Sequence, residues 1–200
     1  GKVGSGKTSI IRSMIGEIPI KNGKARVGKY NLHKLKKREI PYLRRGIGVI
    51  FQDFQLLTDR TVYENLQFVL KATGWKEKKE IDNRISEVLQ AVGMEKKGDK
   101  KPHQLSGGEQ QRIAIARSLL NNPEIILADE PTGNLDNDTT NEIMELFTQI
   151  HHRQGPTIIM VTHNKSLLKD YPGKVFLCER MRCQQMEDLT HIEFEFSDVI

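Results

Sequence analysis

Three short apolar runs limit the architectures open to this chain: Ile47-Gly48-Val49-Ile50-Phe51, Ile125-Ile126-Leu127-Ala128 and Ile158-Ile159-Met160-Val161. None alternates apolar with polar residues, so each reads as a strand covered on both faces, the condition of a parallel sheet. Helical patterns at 9–15, 81–92, 109–120 and 140–151 lie between and around them. Strands alternating with helices predict an α/β layer architecture. Residues 57–118 interrupt the alternation with helix signals and no convincing strand, and read as a helical insertion. Beyond about Lys174 only two weak strand-like patches remain, at 175–177 and 191–196.

With 200 residues, 37% of them hydrophobic and 28% charged, the chain is long enough to bury a core. No apolar stretch approaches the roughly 18 residues of a membrane-spanning helix. Nor is a secretory signal visible. The two cysteines, Cys178 and Cys183, have no metal-like cluster around them and are too few for a disulfide framework. They read as ordinary packed or half-exposed thiols of a reducing compartment. The net charge of +5 is uneven: residues 21–45 hold ten Lys or Arg against one acid, Glu39. Such a run is a solvated face or attracts anionic surfaces; with only Tyr30 and Tyr42 interleaved, a membrane surface suits it better than a nucleic-acid groove.

Three short motifs carry chemistry. The opening GKVGSGKTSI fits G-x-x-x-x-G-K-[ST] through Gly1, Gly6, Lys7 and Thr8. Glycines let the main chain approach a polyphosphate, inward amides and the helix dipole hold its charge, and Lys7 reaches the outer phosphates. Thr8 would place its hydroxyl on Mg²⁺. The expected cradle is Gly1, Gly4, Ser5, Gly6, Lys7, Thr8 and Ser9. Such a loop normally follows a buried strand, so the chain is expected to lack an amino-terminal segment of its domain. The second motif is Asp129-Glu130 at the end of an apolar run, where an open α/β sheet holds its ligands: Asp129 can support Mg²⁺ and Glu130 can polarise an attacking water. The third, Leu105-Ser106-Gly107-Gly108-Glu109-Gln110-Gln111-Arg112, leads into a helix as a second anion-ready amino terminus.

LSGGEQQR resembles the signature of ATP-binding cassette (ABC) ATPases, and the remaining motifs of that family follow in order. Gln52 looks like the Q-loop glutamine, Asn134-Leu135-Asp136 like the D-loop and His163 like the switch histidine. The resemblance implies a P-loop NTPase fold, with a mainly parallel sheet flanked by helices and an α-helical subdomain. It divides a single domain over 1–200 into a RecA-like core at 1–56 and 119–172, a helical subdomain with the signature at 57–118, and a C-terminal segment at 173–200. It also implies ATP and Mg²⁺ as cofactors, with Thr8, Gln52 and Asp129 at the metal and Glu130, His163 and Gln52 catalytic. Asp136 joins the nucleotide site, while Ser106, Gly107 and Gly108 act in trans, closing over ATP held by a second copy of the chain.

Within the family, residues 53–66 resemble the cell-division branch, the FtsE group. That likeness implies an integral membrane partner resembling FtsX, a peripheral place on the cytoplasmic face of the cell membrane, control of cell-wall hydrolases, and no specific nucleic acid. Pro131-Thr132-Gly133-Asn134-Leu135-Asp136 is shared with lipoprotein-release and macrolide-export ATPases, whose motor role is the alternative.

Overall fold

A computed structural model describes residues 6–179 and 182–186. They fall into two compact units, one of residues 8–162 and the other of the described residues among 1–7 and 163–200. The larger unit follows α1 (Lys7–Met14) with a small antiparallel hairpin of β1 (Arg26–Val27) and β2 (Tyr30–Asn31), then α2 (Ile40–Arg45) and β3 (Ile47–Ile50). Next come α3 (Val62–Ala72), α4 (Lys78–Ala91) and α5 (Gly107–Leu119), with no strand among them. The unit ends with β4 (Ile125–Asp129), α6 (Asn137–Gln154) and β5 (Thr157–Val161).

β4 lies between β3 and β5 and is parallel to both. Ile126, Leu127 and Ala128 have no exposed surface, which is why this run carries no polar alternation. Leu127 shares a core cluster with Ile11 of α1, Ile15 just after it, Leu43 of α2 and Ile47 of β3. Gly48 admits α5: a Cβ there would lie 2.7 Å from the Ser118 carbonyl oxygen, so any larger residue would push helix from strand. Register aligns Ile50 with Ala128 and Ala128 with Met160, so the strands finish together. That common carboxyl edge is where open α/β sheets bind ligands.

The three strands match the apolar runs, with Phe51 left out of β3, Asp129 added to β4 and Thr157 added to β5. The β1–β2 hairpin and α2 are too short to leave a periodic signal. α3 starts where its sequence provides for it: the Thr61 hydroxyl accepts the Glu64 N–H while Glu64 accepts the Thr61 N–H at 2.7 Å, a reciprocal cap.

Between β3 and α3 the chain is held in a costly conformation. Phe54 (φ 57°) and Gln55 (φ 50°) are consecutive non-glycine residues in the left-handed region, each costing of order 1–3 kcal/mol. Arg117 of α5 offsets this. Its Nη2 donates to the Phe54 carbonyl at 2.8 Å, and its Nη1 donates to the Gln55 carbonyl. Burial pushes the Arg117 pKa below its usual value, with Asp53 acting in the opposite direction. Asn65 fixes the far end of the loop, accepting from the Leu57 N–H at 2.7 Å and donating to the Leu57 carbonyl at 3.0 Å.

In the smaller unit, α7 (Leu167–Asp170) precedes an antiparallel pair of β6 (Val175–Glu179) and β7 (Arg182–Met186). The 175–177 patch lies in β6; β7 was not legible in the sequence, and the 191–196 patch lies outside the described residues. Cys178 and Cys183 are free thiols, as expected of them, but they stand opposite each other in the ladder with sulfurs 2.9 Å apart.

Arg117→Ala leaves two carbonyls without their charged donor and releases the strained loop. The expected loss is about 2–3 kcal/mol of unfolding free energy in a urea titration. A midpoint unchanged from wild type would contradict the clamp.

Candidate functional site

Gly6 ends the glycine-rich opening at φ +91°, a conformation L side chains rarely adopt, although a Cβ there would meet nothing within 4 Å. Backbone geometry, not space, therefore demands glycine. Lys7, half-buried, begins α1, and Thr8 and Ser9 follow as exposed residues of its first turn. The amides of a first helical turn have no intrahelical acceptor and carry the positive end of the dipole. Ile11 and Ile15 anchor α1 in the core, and Arg44 Nε donates to the Ile15 carbonyl at 3.0 Å at its other end. Gly1, Gly4 and Ser5 lie outside the described residues. His163 is an exposed residue of the smaller unit, two positions after β5 in the chain.

At the end of β4 Asp129 is 8% exposed, and its Oδ1 is buried without a hydrogen-bond partner. A buried carboxylate oxygen is costly in that condition and suits a cation. Among the described residues no group of three or more His, Cys, Asp or Glu could hold a metal ion. A cation at Asp129 would complete its shell with ligand phosphate oxygens and water, as Mg²⁺ does when the protein offers one or two carboxylates. The residues present fit that ion. Glu130 follows at φ 49°, left-handed for a residue with a side chain. Its N–H donates to the Val161 carbonyl at 2.8 Å and its carbonyl accepts from the Gly133 N–H at 3.1 Å, so two backbone bonds enforce the turn.

Gln52 reaches this turn from the neighbouring strand's loop. Its Nε2 donates to Asn134 Oδ1 at 3.2 Å, and Asn134 Nδ2 donates back to the Gln52 main-chain carbonyl at 3.1 Å. Gly133 makes room: a Cβ there would sit 3.0 Å from Gln52 Nε2.

Ser106 is the exposed N-cap of α5. Its Oγ accepts the Glu109 N–H at 3.2 Å, and its own N–H donates to Glu109 Oε2 at 2.9 Å, leaving the hydroxyl proton to donate outward. Gly107 and Gly108 let this tip lie against the start of α6: Cβ atoms would stand 3.4 Å from Leu135 Cδ2 and 2.6 Å from Thr139 Cγ2. Asp136 caps α6 with both oxygens, accepting the Thr139 N–H at 2.9 Å and its hydroxyl at 2.7 Å. Those two bonds hold the Asp136 carboxyl below the ordinary range. Glu109 is likewise held low, first by Lys97 at 2.8 Å and then by the Ser106 N–H.

The profile of the ABC transporter family matches residues 1–133. The chain belongs to that family. It is 44% identical over 198 residues to the cell division ATP-binding protein FtsE of Streptococcus pneumoniae D39, across 99% of this chain and 84% of that one. Among solved structures, it resembles the ATP-binding cassette MJ0796, a dimer in a post-hydrolysis state bound to ADP and Pi. That match has a TM-score of 0.73 and 36% identity, covering 84% of this chain and 74% of the other. A second is cbiO1 of Clostridium perfringens, part of the ABC transporter complex cbiONQ, with a TM-score of 0.83, 31% identity and coverage of 92% and 72%. This ABC chain accordingly binds and hydrolyses ATP.

Two contacts around this edge were not legible in the sequence. Asn134 carries the amide that meets Gln52, a pairing across 82 residues that no spacing announces. Arg117 sits in an unremarkable helical run, and only the left-handed backbone it clamps reveals its work.

The lowered carboxyls give a pH signature. Because Glu109 and Asp136 sit below their ordinary range when folded, the stability they bring is complete above about pH 4.5 and is lost as pH falls through their lowered values. Asp136→Asn keeps an acceptor for Thr139 but does not titrate. Its urea midpoint is expected to fall less steeply than wild type between pH 5 and 3; parallel curves would contradict the assignment.

Proposed function

We propose that the chain is the FtsE-like motor of a membrane complex, holding MgATP on the β3–β4–β5 edge and hydrolysing it in a site completed by a second copy. The carrying observation is the group at that edge: a buried, unpartnered Asp129 oxygen, a Glu130 forced into a left-handed turn, and a Gln52 fixed beside it. In this reading Gly1, Gly4, Ser5, Gly6, Lys7, Thr8 and Ser9 wrap the phosphates. Asp129, Thr8 and Gln52 would hold Mg²⁺, which neutralises phosphate charge when bound. Glu130 orients and polarises the water for in-line attack, and His163 contacts the γ-phosphate. Ser106, Gly107 and Gly108 of the second copy supply a hydroxyl proton and first-turn amides to the same phosphate. Asp136 serves by holding the start of α6 against them.

The FtsE likeness supports an FtsX-like integral membrane partner, cell-wall hydrolase control as output, and a peripheral place on the cytoplasmic face of the membrane. None of the described helices is long and apolar enough to cross a membrane. A groove of about 320 Å³ between α2, β3, α3 and α5 is lined in part by Arg44, Arg45, Val69, Thr73 and Arg117, with Tyr42 of α2 60% and Phe68 of α3 49% exposed. A cytoplasmic segment of the partner seated there would press on Arg117, which holds the carbonyls two and three residues beyond Gln52.

Glu130→Gln is expected to keep ATP affinity while turnover falls at least 100-fold, a barrier rise of about 3 kcal/mol. Unchanged turnover in the assembled complex would remove Glu130 from its role. Lys7→Ala should instead weaken ATP binding itself, and normal affinity would contradict its placement. The partner is tested by affinity purification from membranes: an FtsX-like protein, lost with Phe68→Ala, is the expected companion, and a substrate-carrying permease would point to the exporter motor instead.

A further inference from the structure

The Gln52–Asn134 pair has a directional logic that survives the usual ambiguity of amide orientation. A main-chain carbonyl can only accept, so the Asn134 group facing the Gln52 carbonyl at 3.1 Å must be its Nδ2. Asn134 Oδ1 is then the atom turned toward the Gln52 side chain, and an oxygen acceptor demands a donor. Gln52 must therefore offer Nε2, as it does at 3.2 Å, which turns its Oε1 away from Asn134. One asparagine thus reads the polarity of the backbone and copies it onto the glutamine. Gly133 belongs to the arrangement, because a Cβ would intrude to 3.0 Å on the same Nε2. Both amides are exposed, so water competes for each bond and the pair can yield when the site rearranges.

We propose that Asn134 is a positioning residue that fixes which end of the Gln52 carboxamide faces the metal, presenting Oε1 as an oxygen ligand for Mg²⁺. An inverted amide would aim NH₂ at a dication, so an unpinned Gln52 spends part of its time in a repulsive orientation. The inference rests on the reading of Gln52 as a metal ligand and adds the residue that makes it one.

The test is calorimetric titration of a non-hydrolysable ATP analogue into the whole chain, with excess Mg²⁺ and again in EDTA, for wild type, Gln52→Ala, Asn134→Ala and the double variant. The ratio of the two affinities measures what Mg²⁺ contributes, apart from any turnover. Asn134→Ala and Gln52→Ala are each expected to cut that ratio 3- to 10-fold while EDTA affinities stay within 2-fold of wild type, and the double variant should lose no more than Gln52→Ala alone. If Gln52→Ala lowers the ratio and Asn134→Ala does not, or if the losses multiply in the double variant, the positioning role is overturned. If Gln52→Ala itself keeps the wild-type ratio, the underlying metal-ligand reading fails instead. A fall in EDTA affinity with Asn134→Ala would mark a general structural defect and also overturn the proposal.

Discussion

The pairing of β4 between two parallel partners is the constraint on which the rest depends. A strand whose Ile126, Leu127 and Ala128 are fully covered cannot slip by one residue without turning its side chains to the opposite face. Its register therefore fixes where the apolar run stops and the carboxylates begin. Asp129 still pairs with Val161, and Glu130 is the first residue beyond, turned left-handed under two backbone hydrogen bonds. An acid one residue earlier would be buried in the sheet, and one residue later would lie in the following turn.

Around this edge, strain and its supports come in pairs. The left-handed Phe54 and Gln55 are matched by the half-buried Arg117 fork, and the tight packing at Gly133 by the reciprocal amides of Gln52 and Asn134. Helix α5 links these features to the second anion-ready site. Ser106 caps its start and Arg117 lies eleven residues on, about 16 Å along one rigid rod. A push on the loop at Phe54 and a grip on Ser106 thus act on the same helix. Under the proposed function, that helix is a physical route linking a membrane partner to a second copy through the nucleotide.

What could be read from sequence and what could not divide along a simple line. The β3, β4 and β5 runs were legible because burial on both faces leaves no polar residue to confuse the period, Gly6 because its φ of +91° asks for glycine, and Ser106 because a serine before a helical run reads as its cap. The β1–β2 hairpin and α2 escaped because two and six residues are too few for a period to show. The Asn134–Gln52 pairing and the Arg117 clamp escaped for another reason: each joins positions far apart in the chain, at separations of 82 and about 63 residues. The two cysteines were read as ordinary thiols, and they stand together only because β6 and β7 pair.

The central claim is that ATP on this sheet edge is closed by the serine-glycine tip of another copy. Sedimentation of the hydrolysis-blocked Glu130→Gln chain, with and without saturating ATP, meets that claim most directly. Twice the single-chain mass carrying one ATP per chain, reverting to single chains when Ser106 is replaced by Arg, is the predicted result. ATP bound at full occupancy to chains that stay single would contradict it.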